Sequence, residues 1–542
     1  MILDVEYLRD LLARTMDRVD APDGCAVLLE GSIAEGFGNS SSDIDFLVIV
    51  DEAADQPTMP SILFIDGRRV EVRTRSARQL AEQFDHVRAA AATRRVVKLS
   101  EDVLNRCQRL LHGVPLRDKE LIGRVQGLFD HREFAGVMRT WWAHRARQAM
   151  RYAIALAEMH DYDEAVSWAR AALTSGAKSW AAGRGETYLE PKWLPLQLDR
   201  LGGDESAEFR ALESRTPDLL PSDYLAACRE LLAAFGIDGI TPAGQQITVE
   251  RAPGVTTWPI GERVHVVRDK RDVFVFGDQA GRTWQSVVFG RPLADVLSRM
   301  SSDATASMAQ FVRLGLVRLA WHGNRILPSL PLSAPTGPIT PPPSRVRPIV
   351  TLGGAVVARE AAIDLVPLPA RRFGAAAMTL VWSNVLIENA REDLDGALDR
   401  GQWRVAELTA RRVVQACLRG LLSAHGVNPL PPDSDLIRRL PLLDSLADEI
   451  ATAARELDHV VINDAGQGSD VLVRVERFVA RVRADIDARA FPASFHSEDA
   501  WQATLDIGYD WLRLGAYLAA ELPIDEARDL LTSGGAQPHT VD

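Results

Sequence analysis

The sequence predicts an α+β protein of several domains, with a mixed sheet near the start of the chain and helical bundles after it. Residues 1–120 alternate strand-length apolar runs with helical patterns. Apolar and small residues then recur at helical spacing over residues 134–235 and 375–490. A chain of 542 residues is also long enough for three or four domains.

Changes of pattern along the chain give the predicted domain boundaries. Eight prolines between residues 328 and 348 remove backbone donors and fix φ, so this segment is the clearest linker. We divide the chain into a small α/β domain (1–120), a helical domain (125–240), a winged-helix-like domain (247–327), the proline-rich linker (328–348) and a C-terminal helical domain (349–542). The last is interpreted as a diverged repeat of 125–240, or as a second helix pair that is similar by chance.

Composition limits the classes of function. Hydrophobic residues make up 46% and charged residues 25%, which is ordinary for a globular protein. No apolar stretch is long enough to span a bilayer, and the first residues lack the apolar centre of a signal peptide. Four scattered cysteines indicate neither a disulfide framework nor a zinc site. We therefore expect a cytoplasmic protein without a membrane partner, and the net charge of −12 makes nucleic acid an unlikely partner. The oligomeric state is not indicated.

The first domain alternates strands with turns and helices. Strands are expected at 26–30 and 42–51, with a turn and a short helix from Gly31 and Ser32 between them. Two further strands, 62–65 and 68–74, flank Asp66-Gly67, which is a strong hairpin signal. Helices are expected at 76–84 and 100–111.

Two aspartates at the start of the second strand indicate a cation site. Asp43 and Asp45 lie two residues apart, so on a strand their side chains point to one face. Two adjacent carboxylates repel unless a cation lies between them, and Mg²⁺ prefers such oxygen ligands. Glycine allows the backbone to approach a phosphate closely. We place Gly31, Ser32 and Ser42 in the predicted phosphate-binding set.

The segment GSIAEGFGNSSSDIDFLVIV resembles the polymerase-beta-type nucleotidyltransferase superfamily, whose pattern is Gly-Ser, a spacer and Asp-x-Asp. The resemblance implies a third carboxylate on a neighbouring strand. Glu71 is our choice because it alternates with Val70 and Val72 and so lies on the polar face, although the family more often has Asp there. Asp66 is the rival, but it suits the hairpin turn better. Residues 1–120 would then be the catalytic domain.

The same resemblance implies a chemistry. Asp43, Asp45 and Glu71 would hold two Mg²⁺ ions, and a nucleoside triphosphate, probably ATP, would be the donor substrate. Ser32 and its amide would contact the triphosphate, aided by the dipole of the following helix.

Residues 125–240 look like the helical domain of antibiotic-modifying adenylyltransferases and would close over the nucleotide. Lys178 and Lys192 are candidate phosphate ligands, and Glu186 is a candidate general base or ligand for a cationic acceptor. For each of the three, an ordinary structural or surface role is the alternative.

The winged-helix-like segment has three interpretations. Strands are expected at 264–267, 273–276, 287–288 and 316–320, and helices at 293–300 and 307–314, with Trp284 before the first helix. Such a segment can bind DNA, but acidic residues are interleaved with its basic ones. It also resembles the small leader-peptide-binding domains of peptide natural-product pathways, which bind an added strand. A purely structural or dimerising role is the third interpretation.

These observations favour a Mg²⁺-dependent transferase that moves NMP, probably AMP, to a hydroxyl of a small-molecule acceptor in natural-product biosynthesis or antibiotic modification. A protein or peptide acceptor, recruited by the winged-helix-like domain, is one alternative. A toxin–antitoxin or RNA-directed regulatory protein, with an inactive core, is another. Arg419 and His425 match the loose spacing of helical ribonucleases that accompany such transferases. The sequence does not identify the acceptor.

Overall fold

The structure is a computed structural model, and it describes residues 5–486 apart from several short segments. The segments outside it are 20–23, 40, 52–59, 216–218, 242–243, 261–262, 269–271, 277, 288–289, 322–323, 327–347, 353–354, 359–369, 425–429, 431–432, 434–435 and 441–446. The predicted proline-rich linker up to residue 347, His425 and the chain after residue 486 therefore lie outside the described residues.

The first part of the chain is a five-stranded mixed sheet with helices, which confirms the predicted α+β class. The strand order is β3-β4-β2-β1-β5, with β2 and β4 parallel and the other neighbours antiparallel. Its elements are α1 (Val5–Met16), β1 (Ala26–Glu30), α2 (Gly31–Ala34), β2 (Ile44–Val50), β3 (Ser61–Ile65), β4 (Arg68–Ser76), α3 (Ala77–Ala92), α4 (Glu101–His112), β5 (Val114–Arg117) and α5 (Lys119–Gln126).

Local sequence signals explain several of these boundaries. Asp66 and Gly67 both have positive φ, as a two-residue hairpin turn requires, so the predicted β3–β4 hairpin is present. Ser76 caps α3 in a reciprocal arrangement with Gln79, which satisfies two backbone donors at the helix start. The expected helix at 76–84 is present and continues to Ala92.

The sheet is buried on both faces. Side chains such as Val27, Phe46 and Val70 pack with α1 on one face. Leu28 and Leu47 face the opposite way and pack with α3, α4, α5 and α6. Because side chains alternate along a strand, Glu30, Asp45 and their neighbours on the second face lie beyond this apolar region, at one end of the strands.

The middle part is helical and then mixed, and one hydrophobic core runs through it. Buried residues from Ala143 to Ile326 form one cluster, so the predicted domains 125–240 and 247–327 share a core. The elements are α6 (His131–Glu158), α7 (Tyr162–Ala182), α8 (Leu194–Leu201), α9 (Asp204–Arg215), α10 (Pro221–Ala234), β6 (Ile247–Arg251), β7 (Val255–Ile260), β8 (Arg263–Arg268), β9 (Asp272–Phe276), α11 (Asp278–Ser286), β10 (Arg291–Pro292), α12 (Leu293–Leu297), α13 (Ser302–Arg313), β11 (Val317–Trp321) and β12 (Asn324–Arg325).

The winged-helix-like region differs in detail from the prediction. A helix, α11, was not predicted, and Trp284 lies inside it and is buried in the core instead of preceding the first helix. No strand starts at Val287, whose amide donates to the Trp284 carbonyl at the end of α11. The strands form two small sheets, β10-β6-β11-β12 and β7-β8-β9, because β6 pairs with β11 across about 70 residues of chain.

The C-terminal part begins with a short antiparallel strand pair, β13 and β14, and its main feature is the long helical hairpin that follows. Helices α14 and α15 have 30 and 22 residues, close to the 28 and 21 residues of α6 and α7. That these two hairpins are a diverged repeat stays a prediction. The elements are β13 (Pro348–Leu352), β14 (Ala355–Ala358), α14 (Ala370–Asp399), α15 (Trp403–Ala424), α16 (Leu436–Arg439), α17 (Ala447–Asp458) and α18 (Ala465–Ile486). No helix in the described part of the chain has the length and apolar character needed to cross a membrane.

The α14–α15 hairpin packs directly on the loop between α2 and β2. Phe37 belongs to the same buried cluster as the inward faces of α14 and α15. Arg400 donates to the Gly38 carbonyl at 2.6 Å, and Gln402 donates to the Phe37 carbonyl at 3.3 Å. Gly396 lies so close to Asn39 that a Cβ at this position would meet the Asn39 amide oxygen at 2.3 Å. The hairpin and the loop between α2 and β2 therefore form one packed unit.

A buried polar cluster joins α2 to α4 and to the segment after α7. Glu35 accepts from the Gln108 side chain and lies 3.4 Å from Nδ1 of His112, whose Nε2 is 3.1 Å from the Thr187 hydroxyl. Burial raises the pKa of Glu35 to about 7, and the nearby charge of Glu186 adds to the rise.

We expect Gly396→Ala to lower the free energy of unfolding by about 1–3 kcal/mol, because the added Cβ overlaps a buried Asn39 side chain. Asn39 cannot move freely, since its Oδ1 accepts from Ser41 and Ser42. The measurement is thermal and denaturant unfolding. Gly136→Ala is the matched control: this α6 glycine has open space, so alanine should stabilise by up to about 1 kcal/mol. Equal effects of the two changes would contradict the packing described here.

Glu35→Gln should make the protein more stable at about pH 8, by roughly 1–3 kcal/mol, and leave stability at about pH 4.5 nearly unchanged. The folded carboxyl has a raised pKa, so between 4.5 and about 7 the unfolded chain loses this proton first and stability falls as pH rises. Glutamine removes the buried charge. Unfolding midpoints of wild type and variant across this pH range test it, with the exposed Glu82→Gln as control. Parallel pH profiles for wild type and Glu35→Gln would refute the assignment.

Candidate functional site

Four carboxylates lie together at one end of the sheet. Strand pairing sets Glu30 of β1 beside Asp45 of β2, and Asp45 beside Glu71 of β4. Residues paired in register point to the same face of a sheet. Asp43, two residues before Asp45, lies on this face as well. The predicted convergence of Asp43, Asp45 and Glu71 therefore follows from the register, and Glu30 adds a fourth acid.

Gly31 is required by the approach of Asp45. Its φ is +74°, a conformation that favours glycine. A Cβ at this position would meet Oδ2 of Asp45 at 2.1 Å. The glycine thus makes room for the carboxylate that it precedes in the motif. Gly31 itself lies outside the cavity lining. The phosphate-binding role predicted for it stays a prediction.

Arginines neutralise this acidic group. Arg69 Nη1 lies 3.3 Å from Asp43 Oδ2, and its Nη2 lies 3.6 Å from Glu71 Oε2. Arg109 of α4 lies 3.3 Å from Asp45 Oδ1. Arg73 donates to Glu30, which is buried. Burial is costly for charges without partners, so this alternation of acids and arginines is what permits the cluster to form.

The acids line a cavity of about 490 Å³, within the usual range for small-molecule sites. The sheet domain, the segment after α7, the α14–α15 hairpin and the residue Asp433 form its walls. The lining residues are Ser32, Ser41, Ser42, Asp43, Asp45, Arg69, Glu71, Arg109, Tyr188, Glu190, Lys192, Leu386, Asn389, Ala390, Glu392, Asp393, Arg412, Gln415, Ala416, Arg419 and Asp433.

Polar contacts join the hairpin wall to the rest of the cavity. Lys192 donates to Asp393 of α14, and Arg412 of α15 donates to Glu190 at 2.8 Å. Asn389 of α14 accepts from Arg69 at 3.3 Å. The side chains that face the cavity from α15 recur at helical spacing, since Arg412, Gln415, Ala416 and Arg419 lie three or four residues apart.

The pKa shifts of the acids differ from one part of the cavity wall to another. Burial raises the pKa of Asp43 to about 7 despite Arg69, and the negative charge of Asp45 adds to the rise. Burial, with the charges of Glu388 and Asp393, raises the pKa of Glu392 to about 7. Burial acts the same way on Glu190, but Lys192 and Arg412 outweigh it and lower its pKa to about 2. The nearby arginines and lysines therefore outweigh burial at Glu190, whereas at Asp43 and Glu392 burial and neighbouring negative charges outweigh them.

Three predicted polar residues have clear places in the cavity wall. Ser32 lines the cavity, but α2, the helix that contains it, has only one turn, so the helix dipole is small. Ser42 also lines the cavity. Its hydroxyl accepts from the Asn39 backbone amide and donates to the Asn39 side-chain oxygen, and these two hydrogen bonds shape the loop. Lys192 lies at the cavity between Asp393 and Glu190.

Two predicted residues lie elsewhere. Lys178 is fully buried, and its ammonium donates to the carbonyls of Tyr188 and Glu190 and to the Gln197 side chain. Burial lowers its pKa to about 7. All three donors are used, so Lys178 fixes the segment that carries Tyr188, Glu190 and Lys192 and is not a phosphate ligand in this structure. Glu186 lies 3.7 Å from Arg200, outside the cavity lining.

The sequence analysis missed several cavity residues. Glu30 could have been found, because it continues the alternation of β1 onto the polar face and directly precedes Gly-Ser. Arg69 was not predicted as a cavity residue. Apart from Arg419, which the sequence pattern assigned to a ribonuclease-like spacing, the cavity residues of α14 and α15 carry no motif. The expectation that 125–240 closes the site was incomplete, since the hairpin forms much of the wall.

The donor set can be tested against the Mg²⁺ ions that the resemblance implies. Asp43, Asp45 and Glu71 supply hard oxygen ligands from one face of the sheet, which suits this ion chemically. Within the described ranges, no group of three or more acidic, histidine or cysteine side chains is gathered as a metal site. Arg69 and Arg109 take the positions beside these oxygens. The residues fit the ion in type and in shared location, with arginines as their present partners.

Comparisons with known proteins concern the first part of the chain. No curated protein matches it. A family model described as "Family of unknown function (DUF6001)" matches residues 2–220, which is 219 of the 542 residues. This span contains Ser32, the four carboxylates and Lys192, and it ends before α14. The chain is thus similar to that family over its sheet domain and first helical segment, without the hairpin that completes the cavity.

Proposed function

We propose that the protein is a Mg²⁺-dependent nucleotidyltransferase that moves AMP from ATP to a hydroxyl of a small-molecule acceptor. The observation that carries the proposal is the common location of Ser32, Asp43, Asp45 and Glu71 on one cavity wall. The Gly-Ser and Asp-x-Asp pattern of the sequence predicts this grouping. A five-stranded mixed sheet with flanking helices is compatible with a core of this superfamily.

The residues suggest a division of roles. Asp43, Asp45 and Glu71 would hold the metal ions, which when bound supply positive charge to the entering and leaving oxygens. Ser32 faces the same cavity and can donate its hydroxyl to a phosphate oxygen. Lys192 and Arg109 provide cationic groups beside the carboxylates. In the reaction, the acceptor hydroxyl would release its proton to solvent and its oxygen would bond to the α-phosphorus. The bond from that phosphorus to the oxygen bridging to the β-phosphate would break, and pyrophosphate would leave with those electrons.

The cavity walls favour a small acceptor. The α14–α15 hairpin encloses the site opposite the sheet, so an acceptor must fit the space that the nucleotide leaves. Acids and bases alternate around the cavity, so its charge does not select a cationic acceptor specifically. In the described parts of β8 and β9, Val266 and Phe276 are buried, and no observation there favours a peptide. Arg419 is paired with Asp433, and nothing described favours an RNA-cleaving role.

Asp45→Asn should reduce nucleotidyl transfer by at least about 100-fold, because it removes one shared metal ligand. The assay measures pyrophosphate release from each NTP with Mg²⁺, together with the mass gained by candidate hydroxyl acceptors. Asp10→Asn, at an exposed acid on α1, is the control and should keep full activity. Circular dichroism and unfolding midpoints confirm that both variants fold. Undiminished transfer by a folded Asp45→Asn protein would refute the site, and absence of transfer from every NTP would count against the activity.

A further inference from the structure

Arg69 occupies a special place in the acidic cluster. It lies on the same face of β4 as Glu71, and Asp43 lies level with it because Ile44 pairs with Val70 one residue further along. Its guanidinium reaches both carboxylates, at 3.3 Å from Asp43 and 3.6 Å from Glu71. These are two of the three predicted metal ligands. A single arginine therefore bridges oxygens that a metal ion would need.

The α14 helix fixes this arginine from the opposite side. Asn389 Oδ1 accepts from Arg69 Nη1 at 3.3 Å, and the Arg69 side chain is only one-fifth exposed. Arg109 is different, since its close carboxylate contact is with Asp45. Arg73 joins Glu30 to Glu71, from which its Nε lies 3.9 Å away, so Arg69 is the arginine that bridges Asp43 and Glu71. Asn389 of α14 helps to hold it in this position.

We propose that Arg69 is an internal counter-ion that a divalent cation must displace from Asp43 and Glu71, an inference that rests on the proposed function. Guanidinium stays charged at all accessible pH values, so proton loss cannot clear the site and the side chain must move. A divalent cation and the guanidinium need the same carboxylate oxygens, and their binding is mutually exclusive. The displaced arginine remains beside the cavity, where the phosphates of a bound nucleotide are its natural partner.

Removal of the Arg69 guanidinium should therefore change the affinities for metal and for nucleotide in opposite directions. Without nucleotide, Arg69 opposes the metal, so its removal should strengthen metal binding. With nucleotide, the displaced guanidinium contacts phosphate, so its removal should weaken nucleotide binding. A side chain with only a structural role would weaken both or neither.

The test uses Mn²⁺ as the metal probe, because its free ion is counted directly by electron paramagnetic resonance. With the full-length protein and no nucleotide, we expect Arg69→Gln to bind Mn²⁺ about tenfold more tightly than wild type. Calorimetry with a non-hydrolysable ATP analogue and Mg²⁺ should give about tenfold weaker nucleotide binding to the same variant. Asn389→Ala frees the arginine without removing its charge, so Mn²⁺ should bind more tightly while nucleotide affinity is kept.

Arg78→Gln is the matched control, since this α3 arginine pairs with Glu82 at an exposed position outside the cavity lining. It should leave both affinities unchanged. Equal or weaker Mn²⁺ binding to a folded Arg69→Gln protein, or both affinities moving together, would overturn the inference. If the wild type binds no ATP analogue while Arg69→Gln still gains Mn²⁺ affinity, the proposed function fails and the counter-ion role stands.

Discussion

The parallel pairing of β2 with β4 is the constraint on which the site depends. It aligns Asp45 with Glu71 and brings Asp43 level with Arg69. The antiparallel β1–β2 pairing extends the same line to Glu30. A one-residue slip in the register of either pairing would turn these side chains to the opposite face of the sheet. It would also turn Val70 and Val72 away from the apolar face on which they are buried. The buried valines therefore hold the acidic residues in place through the alternation of the strand.

The charges of the cluster explain why it lies at the end of the strands. Further along the same face, Leu28 and Leu47 are buried beneath helices, where four carboxylates would lose their solvation. At the strand ends, Arg73 and Arg69 come from the sheet itself and Arg109 comes from α4. The open cavity adds solvent to this arrangement. The apolar core and the charged site are thus two consecutive parts of one sheet face.

The part of the fold that depends on local signals was predictable. The Asp66-Gly67 turn fixed the β3–β4 hairpin, and the two-residue alternation of β4 put Glu71 on the polar face. The same alternation could have identified Glu30. The position of α14–α15 could not be predicted in this way, because an amphipathic helix indicates that one face is buried and does not indicate against which partner. The buried place of Lys178 could not be predicted for a related reason, since its three acceptors lie 10 to 19 residues away in the chain. Two are in the segment before α8 and the third, Gln197, is in α8 itself.

The loop between Ser32 and Asp43 connects the sequence motif to the α14–α15 hairpin. In the sequence it is only the spacer of a motif, rich in glycine and serine. In the structure, the Asn39 amide bonds Ser41 and Ser42 on the motif side and packs against Gly396 on the hairpin side. The carbonyls of Phe37 and Gly38 accept from the residues that join α14 to α15. Because Ser42 directly precedes Asp43, the surface that seats the hairpin also positions the first carboxylate. The wall that closes the cavity and the acids that line it are therefore mechanically linked, although more than 300 residues separate them in the chain.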